Sequence, residues 1–167
     1  MKIVSTMPQP SALEILRKFY HMKVVSIARM DLKTIPVVES GTSLVDALRI
    51  IGKYRHVWVV DSLENLQLLG IVTEYDILRF LSELEPSCYS LGGAKFVSYL
   101  AAENVDDIMT RSLIVAVPDD YVKDALNRMR RYRVRYLPIV DENKKLLGEL
   151  TLHEIILKFG NLLAGII

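Results

Sequence analysis

The chain has a single cysteine, Cys88, among 167 residues. An internal disulfide is thereby excluded, and no thiolate metal-site spacing exists to suggest a bound ion. Charge of one sign is also scarce: 21 Lys and Arg against 20 Asp and Glu leave a net charge of +1. No overall field draws the chain to nucleic acid or to an anionic membrane. No run approaches the roughly 20 consecutive apolar residues of a membrane-spanning helix. The opening segment, MKIVSTMPQP, places Met7-Pro8 and Pro10 where a signal peptide needs unbroken apolar sequence. A cytoplasmic protein with no membrane partner is the expectation. Enzyme signatures are missing too: there is no H-E-x-x-H, P-loop or G-x-S-x-G, and His21, His56 and His153 are widely scattered. Neither catalytic nor metal-ligating residues are expected.

What is present is a repetition. Residues 70–78 read GIVTEYDIL and residues 148–156 read GELTLHEII, an offset of 78. Gly70, Thr73 and Asp76 correspond to Gly148, Thr151 and Glu154, and each phrase follows a Leu-Leu pair. The same offset relates Asp46-Ala47-Leu48 to Asp124-Ala125-Leu126. Several matches at one offset indicate an internal duplication.

The local patterns agree with it. Ser11 can cap a helix reaching Tyr20, an N-terminal addition with no counterpart at that offset. Residues 34–38 form an extended run, and Leu44, Ala47, Leu48 and Ile51 share one helical face that ends near Gly52. Residues 57–60 are a buried strand, 61–67 a polar turn and 68–72 the returning strand, with a helix over 74–81. In the second half, 113–117 is a strand, 118–120 a helix start, and Val122, Ala125, Leu126 and Met129 a helical stripe. Strands over 137–140 and 146–150 and a helix from Leu152 complete it. Between Asp61 and Asp141 the offset becomes 80, so the first half has lost two residues after its first helix and regained two in its hairpin. The expected fold is α+β: two pseudo-symmetric β-α-β-β-α repeats packed as one module, with an extra N-terminal helix. The expected boundaries are a helical extension over 1–23, repeats over 24–84 and 105–160, a connector over 85–104 and an apolar tail over 161–167. Half the molecule alone has too little interior to stand by itself.

The chemistry lies in T-x-x-D, where a strand hands over to a helix. The first N–H groups of that helix lack partners and favour an anion. A threonine hydroxyl there can meet a phosphate, and an acid three residues on can accept from vicinal ribose hydroxyls. The same spacing also makes an ordinary capping box. Two copies, each closing a matched unit, favour the ligand.

In its β-α-β-β-α order, its closing G-x-x-T-x-x-D at 70–76, its LPIVD at 137–141 and its VDDIMT and SLIVAVP at 105–118, the chain resembles tandem cystathionine-beta-synthase (CBS) domains. Such a pair is called a Bateman module. The resemblance implies a regulatory module that binds AMP, ADP or ATP, or S-adenosylmethionine, in clefts between the repeats, without a required cofactor. It places Thr73 and Asp76 in one cleft and Thr151 and Glu154 in the other. Val37, Thr110 and Val115 match first-strand positions that hold adenine, with Val134 and Arg135 leading into Leu137-Pro138. Arg55-His56 and Arg135-Tyr136 match positions that take the phosphate, which needs a cation if it is to be buried. For His56 and Tyr136, packing within a strand is an equal alternative.

The departures also matter. Trp58 stands where the second repeat has Pro138, and Glu154 where the first has Asp76, so the Asp76 cleft is expected to be the better-occupied one. NRMRRYRVRY at 127–136 holds five arginines with interleaved tyrosines. We read it as a solvated helix face plus one or two ligand-facing arginines. Polynucleotide binding and docking on an acidic partner are the other readings. The apolar tail IILKFGNLLAGII is expected to be covered by the N-terminal helix or by a second subunit, in keeping with a homodimer. An unknown regulated protein is the further partner implied.

Overall fold

A computed structural model describes residues 11–82, 93 and 103–165. Most of the expected connector, Cys88, the opening segment and the last two residues lie outside the described residues. Helix α1 (Ala12–Tyr20) opens the chain with a reciprocal box, in which Ser11 and Glu14 each bond the other's backbone N–H. Short 3-10 turns over Val24–Ser26 and Leu32–Thr34 lead to β1 (Val37–Glu39). The extended run therefore starts later than residue 34. The Asp31 carboxylate accepts from Lys33 N–H and the Thr34 hydroxyl donates to Asp31 O, which curls that stretch into a turn. Helix α2 (Leu44–Tyr54), capped by Ser43, is followed by β2 (His56–Val60), β3 (Leu68–Thr73) and α3 (Glu74–Ser82).

The second repeat runs from α4 (Val105–Ile108) through α5 (Val122–Tyr132), β4 (Tyr136–Val140), β5 (Leu146–Thr151) and α6 (Leu152–Ala164). The strand expected over 113–117 is absent. Only Ala116 pairs, through a single parallel bridge to Ile139, while Val115 and Val117 stay exposed. The first repeat keeps a three-stranded sheet, β1-β2-β3, and the second a two-stranded β4-β5. Two further boundaries move. α2 runs past Gly52 to Tyr54, because the left-handed residue that stops it is Arg55 (φ 71°). α5 begins at Val122 rather than at 118–120. There Asp120 instead accepts from Val117 N–H and pairs with Arg128, fixing the turn ahead of the helix.

The offset change is visible in the backbone. α2 and α5 end at equivalent left-handed caps, Arg55 and Arg133 (φ 55°). Arg55 then leads directly into β2, whereas Val134 and Arg135 intervene before β4. Arg133 is thus a helix cap and does not lie on a strand face with Arg135.

Alternation in β2 sends Val57 and Val59 into one core, with Leu44, Ala47, Ile51, Val72 and Ile108. Trp58 and Val60 face another, with Ile35, Ile71 and Leu146, where the two repeats meet. The third core belongs to the second repeat and takes in Phe19 and Val24. α1 covers part of α6, with the Phe19 and Phe159 rings 5.1 Å apart. Phe159 and Leu162 of the tail pack on that core, while Ile156 and Leu157 remain exposed. Among the described residues no helix is long and apolar enough to cross a membrane.

Each repeat's closing strand lies beneath a segment of the repeat-starting chain. A Cβ on Gly70 would come within 2.5 Å of the Met109 sulfur, and one on Gly148 within 2.5 Å of the Arg29 carbonyl oxygen. The thioether can swing aside and the carbonyl cannot. We expect Gly148→Ala to cost about 3 kcal/mol or more in urea denaturation and Gly70→Ala measurably less, on the scale of overpacked cores; equal losses would contradict this packing.

Asp120 supplies a pH prediction. Burial alone would raise its carboxyl, but the bonds from Arg128 and Val117 N–H and the charges of Arg128 and Lys23 outweigh that and hold it below the ordinary value. A depressed acid stabilises the fold above about pH 4 and loses that contribution as pH falls through the folded value. Asp120→Asn should lower the melting temperature at neutral pH, with the difference closing under strong acid. A difference constant across pH would refute the assignment.

Candidate functional site

Between the repeats lies a cleft of about 540 Å³, well within the range of small-ligand sites. One wall comes from the end of the first repeat. β3 is stitched to the start of the second repeat by Ile71 N–H to Thr110 O (3.1 Å) and Thr110 N–H to Ile71 O (2.8 Å). This brings the Thr110 hydroxyl to Asp76 Oδ1 at 3.0 Å. The Thr73 N–H (2.8 Å) and hydroxyl (2.7 Å) both donate to Asp76 Oδ2. Asp76 is buried, and Arg79 stands 3.5 Å from its Oδ1. The capping reading of T-x-x-D is therefore realised, and Thr73, Asp76 and Thr110 line the open cleft at the same time.

The facing wall is the stretch from Arg133 to Pro138, with Ser112, Leu113 and Ile114 beside it and buried Trp58 in the floor. At the mouth, Arg55 pairs with Glu74 at 2.7 Å. Tyr136 stacks on His56 with ring centroids 4.0 Å apart. Burial, and secondarily the Glu74 charge, push the Tyr136 phenol up, so it remains a neutral donor at physiological pH. The lining thus combines apolar surface, the hydroxyls of Thr73 and Thr110, and the arginines 55, 133 and 135, with Arg55 bonded to Glu74 beside Thr73.

Of the residues singled out from sequence, Arg55, Thr73, Asp76, Thr110, Val134, Arg135 and Tyr136 come together on this cleft. The remaining five do not. Val37 pairs with Trp58 in the sheet and packs in the central core. Val115 lines a separate shallow hollow beside Asp124, Arg128 and Tyr132. His56 is buried behind Tyr136.

Thr151 and Glu154 repeat the capping box in the second half, where Thr151 N–H donates to Glu154 Oε2 at 3.2 Å. They face Arg29, whose Nε lies 3.2 Å from Glu154 Oε1. The same guanidinium pairs with Glu149, a carboxylate with no exposed surface. Glu149 Oε2 also accepts from Trp58 Nε1 at 2.6 Å and lies 2.7 Å from His56 Nε2. Sequence reasoning passed over Arg29, Glu74 and Glu149. For Glu149 a signal existed, since it is the one charged residue in the apolar strand LLGELT. Among the described residues, no group of His, Cys, Asp and Glu could hold a metal ion.

Truncating Glu149 would strand a buried guanidinium edge, an indole N–H and an imidazole. Glu149→Ala is expected to destabilise by about 3–5 kcal/mol, as breaking a buried ion pair does. Removal of the exposed Asp46–Arg49 pair should cost about 0.5 kcal/mol or less. Comparable losses in chemical denaturation would show that the buried cluster is not structural.

The family model described as CBS domain matches residues 27–83 and 105–161. Among solved structures, the CBS domain pair of protein MJ0100, in complex with 5-methylthioadenosine and S-adenosyl-L-methionine, superposes with a TM-score of 0.65 at 26% identity, covering 84% of this chain and 97% of that one. CBSX2 in complex with AMP gives 0.66 at 28% identity, covering 83% and 96%; CBSX2 is from Arabidopsis thaliana. Among curated relatives, homoserine O-acetyltransferase of Methanococcoides burtonii is 29% identical over 125 residues, 74% of this chain and 22% of that protein. Inosine-5'-monophosphate dehydrogenase of Bacillus subtilis is 31% identical over 121 residues, 70% of this chain and 21% of that protein. The chain spans about a fifth of the length of these two enzymes. With the family model matching both repeats, the chain belongs to the CBS-domain family as a tandem pair.

Proposed function

We propose that the cleft beside Thr73, Asp76 and Thr110 binds an adenosyl ligand, AMP foremost, and that occupancy regulates a partner protein. One observation carries this reading. The closing motif of the first repeat and the basic stretch before β4 meet on one open cleft that brings hydroxyls, arginines and apolar side chains together. An adenine fits the apolar lining between Trp58, Ile114 and Pro138, and a phosphate belongs near Arg133 and Arg135, where guanidinium groups can pair with it bidentately. Ribose hydroxyls would compete with Thr110 for Asp76 Oδ1. The complexes of MJ0100 and CBSX2 with adenosyl compounds support this class of ligand.

S-adenosylmethionine is the second reading, favoured by the MJ0100 complex and by the acidic Glu74 at the mouth. The matched enzymes lend their CBS regions, and not their chemistry, to the comparison, so a regulatory role is preferred to catalysis. Assembly as a homodimer is part of the proposal. Exposed Tyr75, Leu78 and Leu81 on α3 and Ile156 and Leu157 on α6 offer apolar surface for it.

Trp58 is the sole tryptophan and reports on the cleft floor. Its fluorescence should respond to AMP, and Arg135→Ala should weaken AMP roughly tenfold, about 1.4 kcal/mol, while leaving adenosine affinity unchanged. Glu154→Ala should leave AMP binding intact. If S-adenosylmethionine is the ligand, Arg135→Ala has no effect on it. No response to any adenosyl compound, in fluorescence or thermal shift, would refute the reading.

A further inference from the structure

The pseudo-symmetry relates the closing strands and the segments bridged to them in the two repeats. Ile71 is bridged to Thr110 at the open cleft, and Glu149 is bridged to Arg29 at the second one. Gly70 lies under Met109 and Thr110, and Gly148 under Arg29 and Met30. Arg29 therefore occupies the position of Thr110. The short Thr110 side chain reaches Asp76 and leaves space beside it. The long Arg29 side chain reaches across to Glu154, the counterpart of Asp76, and to Glu149, the counterpart of Ile71.

Charge follows the same asymmetry. Ile71 gives the open cleft an apolar floor, whereas Glu149 gives the second a fully buried carboxylate. Two carboxylates held this close need a cation, and a phosphate brought to them would be repelled. The second cleft also lacks counterparts of Val134 and Arg135, because Arg55 passes straight from the α2 cap into β2. Arg55 itself is turned to Glu74 at the mouth of the open cleft.

The geometry points to Arg29 as a built-in occupant of the second cleft, so that each chain binds one adenosyl ligand and the Glu149–Glu154 pair accepts a guanidinium in place of a phosphate. This rests on the nucleotide reading above for the count of ligands, and on the Arg29 cluster alone for the cation.

Two measurements test it separately. Native mass spectrometry of the intact chain titrated with AMP should plateau at one AMP per chain, and a second AMP at saturation overturns the proposal. Absence of any AMP counts against the nucleotide reading, and the decision then passes to the second measurement. In Arg29→Ala, methylguanidinium at low millimolar concentration should raise the melting temperature by several degrees relative to equal sodium chloride. The wild-type protein, whose place is filled, should show no such difference. Equal responses in the two proteins overturn the assignment. Should Arg29→Ala fail to fold, Arg29→Lys takes its place: lysine keeps the charge, and rescue by methylguanidinium is then expected to shrink, while undiminished rescue overturns it.

Discussion

Glu149 sits in the middle of a strand with no contact with solvent, in a place where an isolated carboxylate would be costly by many kilocalories. Three elements distant in sequence meet that demand. Arg29 comes from the segment before β1, His56 and Trp58 from β2, and Glu149 itself from β5. Because the acid must be paired, these elements are held at fixed separation, and the interface between the repeats acquires a register that apolar packing alone would leave looser. The cleft inherits that order, since Trp58 forms its floor and His56 supports the Tyr136 ring. The Trp58 and Tyr136 side of the cleft is thus backed by a charge cluster, while Asp76 holds the hydroxyls of Thr73 and Thr110.

The two halves share a plan and diverge where function would distinguish them. Both closing helices begin with a Thr-acid box, and both first helices stop at a left-handed arginine. Val134 and Arg135, which the second half has after α5 and the first lacks, add a basic side chain to one cleft, and an arginine in place of threonine, paired with Glu149 in place of Ile71, fills the other. A duplicated scaffold becomes asymmetric through few changes, those at Arg29 and at Val134-Arg135 lying in connections and that at Glu149 inside a strand.

Much of this was readable from the chain because it is local. Helical stripes, hairpins, Ser11 and Ser43 caps and the repeat itself depend on neighbours a few residues away. Where reading failed, a distant partner decided. The segment 113–117 has strand-like composition, yet only Ala116 finds a partner, because Pro138 has no N–H to donate where its counterpart Trp58 donates to Pro36 O. Gly52 resembles a helix stop, but the helix has an apolar face to complete and ends at Arg55. Seven of the proposed site residues share the cleft, six of them from phrases of the sequence that carry the motif and the basic stretch. Arg29 belongs to no phrase, Glu149 stands in the second phrase where the first has Ile71, and the two reveal their pairing only across 120 positions.

The hairpin tips of the repeats touch as well. Leu68 N–H donates to Lys144 O and Leu146 N–H to Leu66 O, at 3.2 and 2.9 Å. Together with the Ile71–Thr110 and Arg29–Glu149 bridges, this makes a line of main-chain links running through the seam. Such a seam resists gaping like a clamshell, since opening would expose amides and carbonyls with no substitute partners. Any signal passing from the cleft must therefore travel as a slide or a twist along the seam, carrying the two halves together as one body.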